Sequence, residues 1–319
     1  MELFPKIEPY KSGYLLRNDG HKVYWECCGN PQGKPIMHVH GGPGAGADEE
    51  DRRYYDPEKW NVIISDQRGA GRSVPAAATE NNTTPHLTQD IDTLLNMLGI
   101  SKTVLSGGSW GSTLSLTYAI QHPERVTGLV LNGVFLANKE DTTLVTKGGC
   151  YRQFPEVWAK FLNIVPSGYN TENAATYYHS QMTGGDQARA TRFAKEWVKY
   201  VISISRLNPP SPEELEKELQ EEGETILAHA LFEAHYSQNG FFLPEDNYIL
   251  RHAHRIPRVP ITFVHGRYDA LCPLSSVYTL KNRLHAATKL RVVVSGHSRK
   301  DVALRSAILE EIDAMWQLV

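Results

Sequence analysis

The chain has 319 residues, enough for one large domain with a substantial hydrophobic core, so it needs neither a metal ion nor disulfide bonds in order to fold. It carries 33 Lys and Arg residues against 36 Asp and Glu residues, a net charge of -3, and no dense basic run. This balance argues against nucleic acid or an anionic membrane surface as a partner and favours a small, weakly charged substrate.

The cysteines and the first residues indicate the cellular compartment. Cys27, Cys28, Cys150 and Cys272 show neither a CxxC spacing nor a Cys/His ligand spacing, so we expect reduced thiols, no metal site and no disulfide framework. The N-terminal stretch MELFPKIEPYKSGYLL lacks both a signal-peptide pattern and a run of about 18 apolar residues. We therefore expect a cytoplasmic protein.

Short runs rich in β-branched residues recur along the chain, bounded by Gly, Pro and Asp. They are KVYWECC (22–28), IMHVH (36–40), NVIISD (61–66), TVLSG (103–107), GLVLNGVF (128–135), ITFVHG (261–266) and LRVVVSG (290–296). Such runs are typical of strands buried on both faces of a mostly parallel sheet. Residues 87–98 place Leu and Ile at helical spacing, which predicts a crossover helix. The alternation indicates an α/β fold.

The pattern changes between about residues 136 and 250, where aromatic and charged helical segments replace the strands. In SPEELEKELQEE (211–222), Ser211 is the expected N-cap and Pro212 the first helical residue. The strand signals resume at Ile261, so this region interrupts one domain. We predict a core of residues 1–135 and 251–319, with a helical cap inserted at residues 136–250.

Ser109 lies between glycines in LSGGSWGS (105–112), after a predicted strand and before a predicted helix. In the G-x-S-x-G nucleophile elbow, the serine occupies a tight strand-to-helix turn that has room only for small neighbours, here Gly107 and Gly111. Backbone N–H groups at the start of the helix can stabilise a developing negative charge. The sequence therefore predicts Ser109 as a nucleophile.

A serine hydroxyl is a weak nucleophile until a base accepts its proton. His297 directly follows the last predicted strand in VVVSGHS (292–298), and this position favours it as the base among the 13 histidines. His38, His40 and His265 lie in or at the ends of strand-like runs, and we expect them to be packed or hydrogen-bonded histidines.

The imidazole in turn needs a carboxylate that fixes its tautomer and stabilises its charged form. Asp269 follows the preceding predicted strand and gives the chain order Ser, Asp, His of an α/β-hydrolase. Asp66 is the competing acid, but it precedes the serine. For the oxyanion hole we predict the backbone N–H groups of Gly42, in HGGPG (40–44), and Trp110.

Each of these signals is common when it occurs alone. Together they occur in the right order, each at the carboxyl end of a predicted strand, where open α/β sheets place their sites. We therefore predict a serine hydrolase that needs no cofactor and no metal. A catalytically inert binding protein on the same scaffold is the alternative from another class, and the complete set of catalytic residues argues against it.

The motifs also resemble the proline iminopeptidase (prolyl aminopeptidase) family of α/β-hydrolases. The matching segments are HGGPGAG (40–46), DPEKW (56–60), DQRGAGRS (66–73), NNTTPHLTQDID (81–92), GGSWGSTLSLTYAIQHPERV (107–126), VHGRYDALCP (264–273) and SGHS (295–298). The resemblance implies a mostly parallel central sheet flanked by helices, a helical cap, and a serine peptidase that releases an N-terminal residue, usually proline. It implies the same catalytic residues: Ser109, Asp269 and His297.

The resemblance also suggests residues that bind substrate. A family segment similar to ENHYF reads Glu233-Ala234-His235-Tyr236-Ser237 here, so Glu233 and Tyr236 are retained while the final aromatic is Ser237. Glu233 is the candidate partner of the substrate α-amine, and the alternative is a salt-bridged cap residue. Phe135 matches an aromatic beside the proline pocket, and Cys272 is expected to line that pocket rather than to act as a second nucleophile.

When the cap segments are aligned, Val201 stands where the family has a second glutamate, so this carboxylate is missing here. The loss, together with Ser237, leaves two substrate hypotheses. The first is a prolyl aminopeptidase that acts on small peptides. The second is a related hydrolase that acts on an ester, lactone or amide of a specialised metabolite. The sequence does not indicate whether the protein is a monomer or an oligomer.

Overall fold

The computed structural model describes the backbone of residues 1–319 and every side chain except that of residue 224. An eight-stranded sheet forms the centre of the molecule. Its strands are β1 (Lys11–Leu16), β2 (Lys22–Gly29), β3 (Lys34–Val39), β4 (Trp60–Ser65), β5 (Thr103–Gly108), β6 (Val126–Asn132), β7 (Ile261–Gly266) and β8 (Lys289–Val293).

The strands follow the spatial order β1-β2-β4-β3-β5-β6-β7-β8. β2 pairs antiparallel with both β1 and β4, and all other neighbours are parallel. The carboxyl ends of β3, β5, β6, β7 and β8 consequently lie at one edge of the sheet, where α/β proteins build their sites. The predicted α/β class and mostly parallel sheet are confirmed.

Both faces of the sheet carry a hydrophobic core. On β4, Ile63 belongs to one core, whereas Val62 and Ile64 belong to the other, which also contains residues of the C-terminal helix. Side chains of a strand point alternately to opposite faces. The continuous apolar runs in the sequence therefore reflect strands that are covered on both sides.

Eleven α-helices occur among the described residues. They are α1 (Thr84–Met97), α2 (Trp110–Gln121), α3 (Lys139–Thr146), α4 (Pro155–Leu162), α5 (Ala174–Met182), α6 (Gln187–Ser205), α7 (Pro212–Glu222), α8 (Ile226–Gln238), α9 (Tyr248–Arg251), α10 (Leu274–Lys281) and α11 (Val302–Trp316). α2 packs on β5, and α11 packs on β6 and β7. None of the helices in the described residues has the length and apolar character needed to cross a membrane.

The segment between β6 and β7 contains α3 to α9 and, in the described residues, no strand. At the start of α7, the Ser211 hydroxyl accepts from the Glu214 N–H, and the Glu214 carboxylate accepts from the Ser211 N–H. This reciprocal capping box agrees with the predicted helix start. The division at residues 135 and 250 into core and cap stays a prediction.

The strands differ from the sequence predictions at some of their ends and at one edge of the sheet. The predicted strand at 128–135 ends at Asn132, because the chain turns at Gly133 with a φ of 48°. β1 was not predicted at all: Leu15 is its one buried residue, so it lacks the apolar run that marked the other strands. An edge strand that is mostly exposed leaves little pattern in a sequence.

Candidate active site

Ser109 occupies the turn between β5 and α2 with φ 55° and ψ -127°. A positive φ is strained for a residue with a side chain, and such strain is concentrated at functional sites. The Ser109 N–H donates to the Asn132 carbonyl at 3.1 Å, which ties the turn to the end of β6. A Cβ atom at Gly111 would lie 2.1 Å from the Val39 carbonyl oxygen, so this glycine is required by the tight turn.

Asp269 and His297 meet beyond the ends of β7 and β8. His297 Nδ1 lies 2.7 Å from Asp269 Oδ2, and the aspartate side chain is fully buried. The other carboxylate oxygen, Oδ1, accepts from the N–H groups of Leu271 and Cys272 at 3.0 and 2.8 Å. These bonds fix the orientation of the carboxylate and, through it, the imidazole.

The loop that carries His297 is held by the end of α6. The N–H groups of His297 and Ser298 donate to the carbonyl of Ser205, the last residue of α6, at 2.7 and 2.9 Å. Gly133 lies against the imidazole: a Cβ atom there would be 2.8 Å from His297 Cε1. The ring is therefore confined by backbone on one side and by Asp269 on the other.

The charges of the pair stabilise each other. Burial raises the pKa of Asp269, but the adjacent His297 outweighs this and holds that pKa below its usual value. Burial also disfavours a charge on His297, but attraction to Asp269 and their hydrogen bond raise the pKa of His297 above its usual value. The pair is suited to storing a proton on the imidazole during a reaction.

The loop after β3 passes directly against the serine. A Cβ atom at Gly41 would be 3.5 Å from Ser109 Cβ, and the following Gly42 has a φ of 107°. The backbone N–H groups of Gly42 and Trp110 donate to no protein acceptor within the described part of the chain. Both N–H groups are thus free to donate to a ligand, and their role as the oxyanion hole stays a prediction.

A largely apolar cavity opens beside Ser109. It is lined by Gly42, Pro43, Ser109, Phe135, Thr142, Val145, Thr146, Trp197, Val201, Glu233, Ser237, Phe241, Leu271 and Cys272. Most of the lining comes from the region between β6 and β7, with Glu233 as the one carboxylate in the described lining. The structure therefore brings Phe135, Cys272 and Glu233 together around the serine.

A second, more polar cavity also includes Ser109 in its lining. Its lining includes His40, Asn132, His297 and Arg299. Ser109 belongs to the lining of both cavities. Ser109 is therefore reached from both cavities.

Glu233 is held by two donors. Its Oε2 accepts from Trp197 Nε1 at 2.6 Å, and its Oε1 lies 3.3 Å from His229 Nε2, four residues earlier on α8. The side chain is only 16% exposed. Glu233 thus has an ion-pair partner on its own helix, and it also lines the cavity.

Tyr236 lies outside the lining of the apolar cavity. Its hydroxyl donates to Asn82 at 2.9 Å, and its ring packs edge-on against Trp110. The Trp110 indole in turn donates to Gln67 at 2.8 Å. In this position Tyr236 supports the elbow from behind rather than facing a ligand in that cavity.

The other candidates are bound into the framework. Both oxygens of Asp66 are held by Arg72, whose Nε lies 2.7 Å from Asp66 Oδ2. His40 accepts from the Gln67 N–H, and His38 bonds the Tyr55 hydroxyl. The position of Asp66 supports Asp269 as the acid.

His265 is also a packed histidine. Its Nδ1 accepts from the Val134 N–H at 3.3 Å, so its Nε2–H donates to the Cys272 carbonyl at 2.8 Å. Burial lowers the pKa of His265 and keeps the ring neutral beside Asp269. It therefore supports the loop that carries the acid.

Asp269, Cys272 and His297 offer an oxygen, a sulfur and a nitrogen that lie within 4.8 Å of one another. Both oxygens of Asp269 already accept hydrogen bonds from the protein. In addition, burial raises the pKa of the Cys272 thiol well above its usual value, which disfavours the thiolate that a metal prefers. The cluster is better suited to orienting an imidazole than to binding a cation.

Sequence reasoning missed Trp197 and His229. Trp197 is 36 residues from Glu233, and only the packing of α6 on α8 brings the two side chains together. His229 could have been found from the sequence, because it lies four residues before Glu233 and residues four apart on a helix share one face.

Comparisons with known proteins establish the class. The family described as having the alpha/beta hydrolase fold matches residues 34–300. An esterase from Exiguobacterium antarcticum superposes with a TM-score of 0.67 at 18% identity, covering 96% of this chain and 100% of that one. An enol-lactonase from Burkholderia xenovorans gives a TM-score of 0.66 at 15% identity, covering 96% and 100%. These structures share the fold.

The sequence relatives are more specific. A proline iminopeptidase from Neisseria meningitidis is 41% identical over 308 residues, 96% of each chain. One from Xylella fastidiosa is 38% identical over 299 residues, 93% of each chain, and one from Arabidopsis thaliana is 36% identical over 317 residues, 99% of this chain and 83% of that one. The chain belongs to the proline iminopeptidase family of α/β-hydrolases, and it is a serine hydrolase.

Proposed function

We propose that this protein removes N-terminal proline from short peptides through an acyl-enzyme formed on Ser109. The observation that carries the proposal is Glu233, the one carboxylate among the described residues that line the apolar cavity at the serine. An aminopeptidase must bind a charged α-amine, and a buried amine needs a carboxylate partner. The relatives named proline iminopeptidase, similar along nearly the whole chain, support the same assignment.

In the first half of the reaction, His297 accepts the Ser109 proton while the serine oxygen attacks the scissile carbonyl. The carbonyl oxygen becomes an oxyanion that receives hydrogen bonds from the N–H groups of Gly42 and Trp110. Asp269 stabilises the imidazolium. The proton then passes from His297 to the leaving amine, and the C–N bond breaks.

In the second half, a water molecule enters on the side that the leaving peptide has vacated. His297 accepts a proton from this water as its oxygen attacks the acyl carbonyl, and the same N–H groups stabilise the second oxyanion. His297 then returns the proton to Ser109 Oγ, and the ester bond breaks. Free proline leaves, and the enzyme is restored.

The apolar cavity takes the proline ring. Phe135 and Phe241 both line it and pack edge-to-face with a centroid separation of 5.0 Å, so they form a rigid apolar wall. Cys272 adds a neutral thiol at the same wall. The predicted cap, residues 136–250, would then supply the recognition groups, while the predicted core supplies the chemistry.

Peptide cleavage of this kind fits a cytoplasmic enzyme. The four cysteines are free and buried, which suits a reducing compartment. The alternative, a hydrolase of a specialised ester or lactone without amine recognition, is not favoured, because Glu233 faces the cavity beside the serine.

The test compares L-proline 4-nitroanilide with its N-acetyl derivative. We expect cleavage of the free amine only, and we expect Glu233→Gln to raise KM at least tenfold, because a hydrogen bond between charged groups contributes about 1.5–3 kcal/mol. Glu213→Gln, at an exposed position of α7, is the matched control. Equal cleavage of the two substrates would contradict the proposal.

A further inference from the structure

Three ionisable side chains form a row that ends at the apolar cavity with Glu233. His229 lies between two carboxylates, with Nδ1 3.1 Å from Glu222 Oε2 and Nε2 3.3 Å from Glu233 Oε1. Its side chain is 13% exposed. Glu222 ends α7, whereas His229 and Glu233 lie one helical turn apart on α8.

Only Glu233 of these three lines the cavity, and Val201, at the position where the resemblance expected a second carboxylate, lines it with an apolar side chain. Building on the proposed function, we propose that Glu222 supplies the second negative charge of the α-amine subsite through His229. Glu222, His229 and Glu233 then form one unit, which we term the Glu-His-Glu relay.

The charges explain why both carboxylates are needed. A protonated His229 beside Glu233 alone would cancel the negative charge that attracts the substrate amine. Glu222 balances His229 instead, so the relay keeps a net charge of -1 while His229 and Trp197 fix the orientation of Glu233. A protonated amine bound to Glu233 then brings the buried group to neutrality, which low-dielectric surroundings favour.

The surroundings of His229 support a charged ring. Burial disfavours the charge, but the two carboxylates outweigh it and hold the pKa of His229 well above its usual value. Burial likewise opposes the charge on Glu222, and His229 outweighs it and lowers the pKa of Glu222. Beyond these partners, Glu218 raises and Lys300 lowers the pKa of Glu222. Burial lowers the pKa of His40, and repulsion from His229 adds to this effect.

The relay predicts a specific effect of pH on the variant Glu222→Gln. With one carboxylate removed, the pKa of His229 falls. Below this lowered pKa the imidazolium cancels the charge of Glu233, whereas above it His229 is neutral and Glu233 again attracts the amine. KM for L-proline 4-nitroanilide should therefore be raised about tenfold at pH 6 and recover towards the wild-type value by about pH 8.

The experiment measures kcat and KM between pH 5.5 and 8.5 for three proteins: wild type, Glu222→Gln, and Glu222→Gln with His229→Gln. The double variant keeps a donor to Glu233 but cannot titrate there, so the pH-dependent excess in KM should disappear. A merely structural role for Glu222 would raise KM by the same factor at every pH. That outcome, or unchanged KM in Glu222→Gln, would overturn the relay.

An NMR titration of the His229 Cε1–H signal separates this inference from the proposed function. We expect His229 to stay protonated through neutral pH in the wild type and to titrate at lower pH in Glu222→Gln, whether or not proline amides are cleaved. No cleavage by the wild type would reject the proposed function and the amine-binding role of the relay. A neutral His229 in the wild type at pH 6 would reject the relay itself.

Discussion

The indole Nε1 of Trp197 donates to Glu233 Oε2 at 2.6 Å, and both side chains line the cavity that begins at Ser109. This bond joins α6 to α8 and fixes the one carboxylate of the described lining. Under the proposed function, amine recognition would therefore depend on the packing of α6 on α8.

Replacing Trp197 by Phe keeps an aromatic ring but removes the donor. We expect KM for L-proline 4-nitroanilide to rise about tenfold with little change in kcat, because a hydrogen bond to a charged group contributes about 1.5 kcal/mol or more. Steady-state kinetics with the free-amine substrate checks this. A lowered kcat with an unchanged KM would place Trp197 in the chemical step instead.

The activity should fall on the acid side as His297 takes up a proton. The base must be neutral to accept the Ser109 proton, and the pKa of His297 is raised by Asp269. The acid limb of the kcat/KM profile should thus lie above the ordinary histidine value of about 6.5. A limb at or below that value in the wild type would contradict the assignment.

Asp269→Asn removes the charge that raises the pKa of His297. The acid limb should move to lower pH, and kcat should fall by about 10⁴, as expected when the imidazole loses its orienting carboxylate. Thermal unfolding of the variant serves as the control for folding. A pH profile identical to that of the wild type would show that Asp269 does not interact with the base.

The glycines around the serine are structural requirements. In Gly111→Ala, the new methyl group would meet the Val39 carbonyl oxygen at 2.1 Å, so the backbone must shift. We expect a loss of about 1–3 kcal/mol in the free energy of unfolding, together with reduced activity. Gly168→Ala is the control, because its added Cβ meets no atom within 4 Å. Equal stabilities in chemical denaturation would contradict the tight-turn account.

Phe135→Ala tests the proline pocket. The ring lines the apolar cavity and packs on Phe241. The ratio of kcat/KM for L-proline 4-nitroanilide to kcat/KM for L-alanine 4-nitroanilide should fall about tenfold. The reason is that a methylene group in an apolar pocket contributes about 1–3 kcal/mol to discrimination. An unchanged ratio of the two kcat/KM values would show that the proline ring of the substrate binds elsewhere.

Local sequence patterns predicted the sheet and the catalytic candidates because each depends on a short segment. The turn at Ser109, the loop with Asp269 and the loop with His297 follow strands whose apolar runs are evident in the sequence. Parallel strands place these ends at one edge, so the approximate site follows from the fold class.

The cavity could not be predicted in the same way. The contact of Trp197 with Glu233 depends on how α6 packs on α8, and the approach of Glu222 to His229 depends on the path between α7 and α8. Tyr236 shows the limit of transferring a motif: it is a retained residue of a family segment, yet it packs against Trp110 and does not line the apolar cavity. Tertiary packing determines which side chains face the cavity.

The most direct test of the account is the rate of L-proline 4-nitroanilide hydrolysis by wild type, Ser109→Ala and Ser298→Ala. Ser298 lines the polar cavity beside Ser109 and is the matched control. We expect Ser109→Ala to lose at least about a thousandfold in kcat while Ser298→Ala stays active. Substantial proline release by Ser109→Ala would contradict a nucleophilic role for this serine.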